Sequence, residues 1–417
     1  MIRRCSLAVL GCLAFGSGLW LGACGLEITA LADSGSSSPE AGDASDASPD
    51  RSGLDAGVEA AVDVSIDAPP GDPAVRFVGR FDTRIPNRPR VGWPGARIIA
   101  QFRGPEVSVR LEDTLGASGG PSRYDVIVDG VPPSFGTHLL TKVGDHEYTL
   151  ATGLGPGLHT IELYRRTEPN LGVTQFLGFT FPGGALLAPP PAPGRRIEFV
   201  ADSTIDGYGV EGKGPNCTAN ELEPSHNARL GVVGLVASDL NADAMVTAYS
   251  GKGLVVNSAS KDPETMGVIF PRALPDDPQS LWDFSRFVPE VVVVSIGGSD
   301  FANVSNYPSI PVFTLKYDEL VGTVRSKYPA AHVFLTIYAQ IKNVYPPNLN
   351  LRDLVRDAMQ AVIARRANEE GDTKIYLHEM PESGPVDETG CDYHASPALH
   401  RRLATELVKD IRIKTGW

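Results

Sequence analysis

Residues 195–203 read Arg195-Arg196-Ile197-Glu198-Phe199-Val200-Ala201-Asp202-Ser203, an apolar run that stops on an acid and a serine. A short run rich in Ile, Phe and Val is a strand signal. Further short apolar runs follow at Ala244 to Tyr249, Val291 to Ile296, His332 to Tyr338 and Lys374 to Leu377. Val291 to Val294 is continuous valine, as in a strand covered on both faces. Helical spacing lies between the runs, for example Leu351, Leu354, Val355, Ala358 and Val362. The last helix opens with Ser396 as N-cap and Pro397 at its first position, and it carries Leu399, Leu403, Leu407 and Ile411 one turn apart. Strands alternating with helices predict a three-layer α/β domain with a parallel sheet over residues 196–417. Its functional groups belong at the carboxyl ends of the strands, where Ser203 falls.

Upstream the texture differs. Val107, Val109 and Leu111 alternate with polar residues, as do Tyr124, Val126 and Val128, which end in the turn pair Asp129-Gly130. His159 to Tyr164 repeats the pattern after the turn-rich Gly153 to Gly157. With no long helical pattern, residues 74–187 read as an all-β sandwich of the jelly-roll kind. Residues 188–195, with Pro189, Pro190, Pro191 and Pro193, read as a stiff linker.

The N-terminal residues read as an export signal. Arg3 and Arg4 precede an apolar stretch from Leu7 to Trp20, too short to span a bilayer comfortably, and Leu21-Gly22-Ala23-Cys24 has the form of a bacterial lipobox. Residues 1–23 are expected to be a lipoprotein signal peptide and Cys24 the lipidation site. Residues 24–73 are expected to be a disordered tether, with eleven acidic residues against one base, Arg51, between residues 27 and 72. That imbalance supplies −10 of the formal net charge of −13. The folded part is therefore nearly neutral, which argues against nucleic acid as a partner. The expected address is the bacterial cell envelope, as an outer-membrane or surface lipoprotein held to the membrane by its lipid anchor only. Of the five cysteines, Cys5 and Cys12 leave with the signal and Cys24 carries lipid, so Cys217 and Cys391 remain as a candidate disulfide in an oxidising compartment.

Asp392-Tyr393-His394, just before the final helix, completes a set of serine, acid and imidazole in the chain order Ser203, Asp392, His394. A serine hydroxyl needs a base to take its proton, and a carboxylate improves the base by fixing its tautomer. In an extended loop, residues two apart face one side, so the Asp392 carboxylate is expected on the His394 Nδ1. Gly251, in Ser250-Gly251-Lys252-Gly253, and Ser299, in Gly297-Gly298-Ser299-Asp300, each follow a strand and are candidates, with the Ser203 N–H, for an oxyanion hole. Gly116-Ala117-Ser118-Gly119-Gly120 fits a nucleophile elbow in letters only, because Pro121 follows and no helix begins. The other histidines are scattered and none forms a zinc-type pair, so neither metal nor cofactor is expected.

Jointly these blocks resemble the SGNH (GDSL-type) hydrolases. More closely, residues 75 to 417 resemble carbohydrate esterase family 2, acetylesterases of plant polysaccharides that join a jelly roll to an SGNH domain. The resemblance rests on Arg76-Phe77-Val78-Gly79-Arg80-Phe81, Trp93-Pro94-Gly95, Leu163-Tyr164-Arg165-Arg166-Thr167-Glu168, Ala201-Asp202-Ser203 through Gly207-Tyr208-Gly209, Ser250-Gly251-Lys252-Gly253 and Cys391-Asp392-Tyr393-His394. It implies a serine esterase that removes O-acetyl groups from xylan- or glucomannan-type polysaccharide through an acetyl-enzyme. Ser203 is then the nucleophile, His394 the base, Asp392 its orienting acid, and Ser203, Gly251 and residue 299 the oxyanion donors. The family carries asparagine where this chain has Ser299, whose hydroxyl reaches less far. Two other readings stand beside it: a lipase or thioesterase of the same superfamily, and a carbohydrate-binding surface lipoprotein with weakened catalysis. Tyr208, Tyr338, Tyr345 and Tyr393 are candidate stacking platforms for sugar.

Overall fold

The antiparallel half is built from β1 (Val75–Val78), β2 (Arg90–Val91), β3 (Arg97–Arg103), β4 (Val107–Leu115), β5 (Arg123–Val128), β6 (Leu139–Leu140), β7 (Gly144–Ala151), β8 (Leu158–Arg165), β9 (Gly172–Thr180) and β10 (Ala185–Leu187). One sheet runs β1-β3-β8-β5-β6 with β10 also on β3, and the other runs β2-β9-β4-β7. Alternation along the strands sends Val107, Val109, Leu111, Ile161 and Leu163 into a shared core with Phe102, Phe176 and Phe179. This computed structural model describes residues 74–258, 262–303 and 306–417. The leader, Cys24 and the acidic tether lie outside the described residues.

The α/β half comprises β11 (Arg195–Ala201), α1 (Ala219–Ser225), α2 (Val232–Leu240), β12 (Ala242–Ala248), α3 (Met266–Ile269), β13 (Val291–Ser295), α4 (Ile310–Lys327), β14 (His332–Ile337), α5 (Leu351–Glu370), β15 (Ile375–Glu379) and α6 (Pro397–Thr415). The five strands form a parallel sheet in the order β12-β11-β13-β14-β15. Val291 to Val294 are fully buried at its centre. Helix α6 begins as its sequence dictates: the Ser396 hydroxyl accepts the Leu399 N–H at 3.2 Å, and Leu399, Leu403, Leu407 and Ile411 face the core. No helix among the described residues is long and apolar enough to cross a membrane.

Sheet register fixes where the functional loops leave. Ala201 lies opposite Ala248 on one side and Ser295 on the other, so β11, β12 and β13 end at one level. The next residues along each chain are the Ser203 turn, the Ser250-Gly251 turn and the Gly297-Gly298 turn.

The two halves belong to one compact unit, joined by a seam of buried charge. Arg80, between β1 and β2, donates from Nη2 to the Glu198 Oε1 on β11 at 2.6 Å, with both side chains fully buried. Its Nη1 donates to the carbonyl oxygens of Phe270 and of Arg272, the latter at 3.1 Å. The guanidinium carbon lies 4.8 Å from the Phe270 ring centroid and 5.2 Å from that of Phe284. The Thr247 hydroxyl donates to the same Glu198 oxygen at 2.9 Å. Trp93 leaves the β-sandwich to join the α/β core.

A dry ion pair punishes the loss of one partner more than the loss of both. Arg80→Ala is therefore expected to cost about 3–5 kcal/mol in urea unfolding, while Arg80→Met combined with Glu198→Leu recovers most of it. Equal losses from the single and double variants would refute this reading of the seam.

Candidate active site

Ser203 and His394 meet although they lie at opposite ends of the α/β half. The His394 Nε2 stands 2.9 Å from the Ser203 Oγ. Ser203 sits in a tight turn after β11, and Gly209, φ +63°, lets that turn touch the histidine loop. A Cβ at Gly209 would come within 2.8 Å of the Cys391 Cβ. The loops are also stitched by backbone: Cys391 N–H donates to Gly209 O at 2.9 Å, and Asp392 N–H to Pro215 O at 2.8 Å. Cys217 and Cys391 are joined by a disulfide with Cα atoms 5.3 Å apart. The bond ties the residue just before Asp392-Tyr393-His394 to the loop following the serine turn.

The orienting group for His394 is not the one expected. Its Nδ1 lies 2.9 Å from the backbone carbonyl oxygen of Asp392. With Nε2 facing the Ser203 hydroxyl, Nδ1 carries the proton and donates it to that carbonyl. The Asp392 side chain is exposed and makes no hydrogen bond to the ring among the described residues. Backbone geometry is the reason. Asp392 and Tyr393 both take positive φ, 54° and 58°, so the chain curls instead of extending, and the carbonyl reaches the ring before the carboxylate does. The carboxylate acts through space, favouring the charged ring.

Two backbone donors lie in the turns that follow the paired strands β11 and β12. Neither the Ser203 nor the Gly251 N–H has a partner among the described residues. Gly251 holds φ +78°, and a side chain there would meet the Ser258 Oγ at 2.9 Å. The loop after it is anchored by Asp300, whose carboxylate accepts the N–H groups of Leu254, Val255 and Val256 at 2.8, 2.7 and 3.0 Å. Lys252 is buried and donates to Asp262 and, at 2.7 Å, to the Glu264 carbonyl, closing the same loop from below. Ser299 lies beside Asp202, its Oγ 3.4 Å from the Asp202 Oδ2, and so is turned toward a carboxylate. Tyr338, just past β14, fills the space a Gly298 side chain would take.

Burial sets the electrostatics. Asp202, which accepts the Thr204 N–H and hydroxyl at 3.1 and 2.7 Å, is pushed up to about 6 by its burial. Burial likewise raises Asp300 in spite of its three N–H donors. His394 is lowered by desolvation, so its base form persists below the ordinary histidine range. The Tyr208 ring lies between His394 and His226, with centroids 4.3 and 4.4 Å away. His226 accepts the Gly209 N–H on Nδ1 at 2.9 Å and, by burial, falls to about 3. His400, on the first turn of α6, is buried with neither ring nitrogen partnered among the described residues, and falls to about 3 for the same reason. Both rings therefore stay neutral beside the base. Of the four tyrosines, Tyr345 and Tyr393 are exposed, whereas Tyr338 is buried and Tyr208 is held between the two imidazoles. Among the described residues, no cluster of His, Cys, Asp or Glu could hold a metal ion.

This arrangement matches known proteins along its length. Residues 77–191 match the carbohydrate esterase 2 N-terminal family and residues 202–402 the GDSL-like lipase/acylhydrolase family. The chain is 35% identical over 350 residues to the cellulase/esterase CelE of Acetivibrio thermocellus, an alignment covering 83% of this chain but 40% of CelE. It is 30% identical over 333 residues to an acetylxylan esterase / glucomannan deacetylase of Cellvibrio japonicus, covering 78% of this chain and 85% of that protein. A solved family two carbohydrate esterase from Clostridium thermocellum, in complex with cellohexaose, superposes with a TM-score of 0.73 at 34% identity, covering 82% of this chain and 99% of that one.

With a carbonyl on Nδ1, the Asp392 carboxylate is expected to matter little to turnover. Asp392→Asn, which keeps the left-handed turn, is expected to lower kcat/KM on 4-nitrophenyl acetate less than about tenfold, whereas loss of a true triad acid costs about 10⁴. His394→Ala is expected to abolish turnover. A 10⁴-fold loss in Asp392→Asn would restore the triad.

Proposed function

The chain belongs to the family 2 carbohydrate esterases, SGNH-type carboxylic ester hydrolases, and from that premise we propose that it removes O-acetyl groups from plant polysaccharide of the xylan or glucomannan type. The observation that carries the reading is the 2.9 Å approach of the His394 Nε2 to the Ser203 Oγ, with the Ser203 and Gly251 N–H groups unpartnered among the described residues. Ser203 Oγ attacks the acetyl carbonyl carbon as His394 takes its proton. The N–H groups of Ser203 and Gly251 receive the oxyanion. Collapse breaks the bond to the sugar oxygen, which takes the proton from His394. Water, deprotonated by the same imidazole, then frees acetate from Ser203. The cellohexaose-bound relative supports a polysaccharide chain as the substrate frame, and exposed Tyr393 offers it a ring face next to the base.

A second reading, a carbohydrate binder with weakened catalysis, is favoured by Ser299, which faces Asp202. Glycan binding without any acetate release would select it.

The pattern at Cys24 supports export and a lipid anchor at the cell envelope. Labelled palmitate is expected to enter the wild-type chain in a bacterial host and to be absent from Cys24→Ser; equal labelling would end that proposal.

Acetate release from acetylated glucomannan or xylan is expected from the wild type and absent from Ser203→Ala. Because burial lowers His394, protonation should extinguish the base only below the ordinary histidine value of about 6.5, and the acid limb of kcat/KM should lie beneath it. An acid limb above pH 6.5, or no acetate from any acetyl ester, would contradict the proposal.

A further inference from the structure

Glu168 comes from the β-sandwich, just after β8, yet it reaches the catalytic loops. It is 3% exposed, and its Oε2 accepts the N–H of Ser250, the residue before the oxyanion donor Gly251, at 3.0 Å. Asp206, 2% exposed in the Ser203 turn, faces it. The Asp206 Oδ1 accepts the Tyr208 N–H at 3.1 Å, and its Oδ2 is buried with no donor among the described residues. Tyr208 in turn packs its ring against that of His394, the planes tilted by 40°. Two carboxyls thus meet in a dry place, one bound to the oxyanion loop and the other to the turn that flanks the base.

Among the described residues, no cation forms an ion pair with either carboxyl. Arg165 points into the β-sandwich, donating to Ser122, Thr174 and the Gly172 carbonyl. Arg166 is taken by Asp125 and Glu211. The titratable groups that do face the pair are Asp202 and Tyr208 from the serine turn and Tyr249 from the end of β12. All are acids. Two bare carboxylates in this setting would repel, and one proton between them turns repulsion into a hydrogen bond.

We propose that Glu168 and Asp206 share one proton, and that this proton positions the Gly251 loop and the Tyr208–His394 ring pair against each other across the seam. The inference rests on the esterase reading of Ser203, His394 and Gly251. Burial, with the facing Glu168 carboxylate, holds the Asp206 carboxyl well above the usual carboxylate range. The sign follows. The bond is intact below the raised value and is lost as pH rises through it, when the proton leaves to solvent. The pair therefore sets an alkaline limb on turnover, separate from the acid limb set by His394.

Asp206→Asn is the decisive variant. Its carbonyl oxygen still accepts the Tyr208 N–H, and its NH2 replaces the shared proton with a donor that never dissociates. The full-length enzyme is assayed on 4-nitrophenyl acetate from pH 5 to 10. Asp206→Asn is expected to keep its plateau kcat within about threefold of wild type and to move the alkaline limb of kcat up by about one pH unit or more. A limb that coincides with wild type, or loss of the plateau in a folded Asp206→Asn, overturns the proposal. The melting temperature is followed over the same range in a Ser203→Ala background, where the chain that keeps Asp206 should lose stability at alkaline pH and the chain that also carries Asp206→Asn should not. Equal alkaline destabilisation overturns the shared proton by itself. Absence of any esterase activity, with the melting difference present, refutes the esterase reading alone.

Discussion

A guanidinium with no access to water fixes how the two halves of this molecule meet. Arg80 exchanges its hydration for one carboxylate, two backbone carbonyls and the faces of three aromatic rings, Phe270, Trp282 and Phe284. Such a pair adds little net stability over an apolar core, since desolvation consumes most of the attraction. What it adds is position. The Glu198 charge meets its cation only when the β1–β2 connection of the sandwich lies on β11, and that docking brings the end of β8 to the Ser250 turn. A second charged set, Arg166 with Asp125 and Glu211 beside Asn227, fixes the same seam nearer the site. The β-sandwich therefore contributes to the construction of the site, through Glu168 on the Ser250 N–H.

The site is assembled from strand ends, and buried carboxylates fasten each loop. Asp202 fastens the serine turn through Thr204, Asp300 the loop after Gly251 through three successive N–H groups, and Glu168 the start of that loop. Each acid is an acceptor for backbone donors that would otherwise be orphaned in a dry interior. The base receives different treatment. His394 is enclosed by neutral rings and oriented by a peptide carbonyl, which fixes its tautomer without placing a full charge on Nδ1.

Much of this is legible along the chain because it is local. The valine strand, the alternation in β4 and the Ser396-Pro397 helix start are short-range patterns, and the rule for parallel sheets puts Ser203 and Gly251 at the carboxyl edge. Cys217 and Cys391 stand out once the cysteines of the expected leader are subtracted, and their bond lies against the histidine loop. What is not legible depends on backbone hand or on tertiary distance. The consecutive positive φ values at Asp392 and Tyr393 exchange a carboxylate for a carbonyl, and nothing in an Asp-Tyr-His triplet announces that turn. Glu168 stands in a recognisable block, but its meeting with Asp206 requires the two halves to dock. Ser299 reads as an oxyanion donor from its place in a loop, and the rotor that turns it to Asp202 is a tertiary fact.

The central claim is that Ser203 is a nucleophile activated by His394. It is tested most directly by treating the full-length protein with a fluorophosphonate and mapping the adduct by peptide mass spectrometry. One phosphonyl group on Ser203, absent when His394 is replaced by alanine, is the expected result. An unlabelled Ser203, or a label on another serine, would contradict the claim.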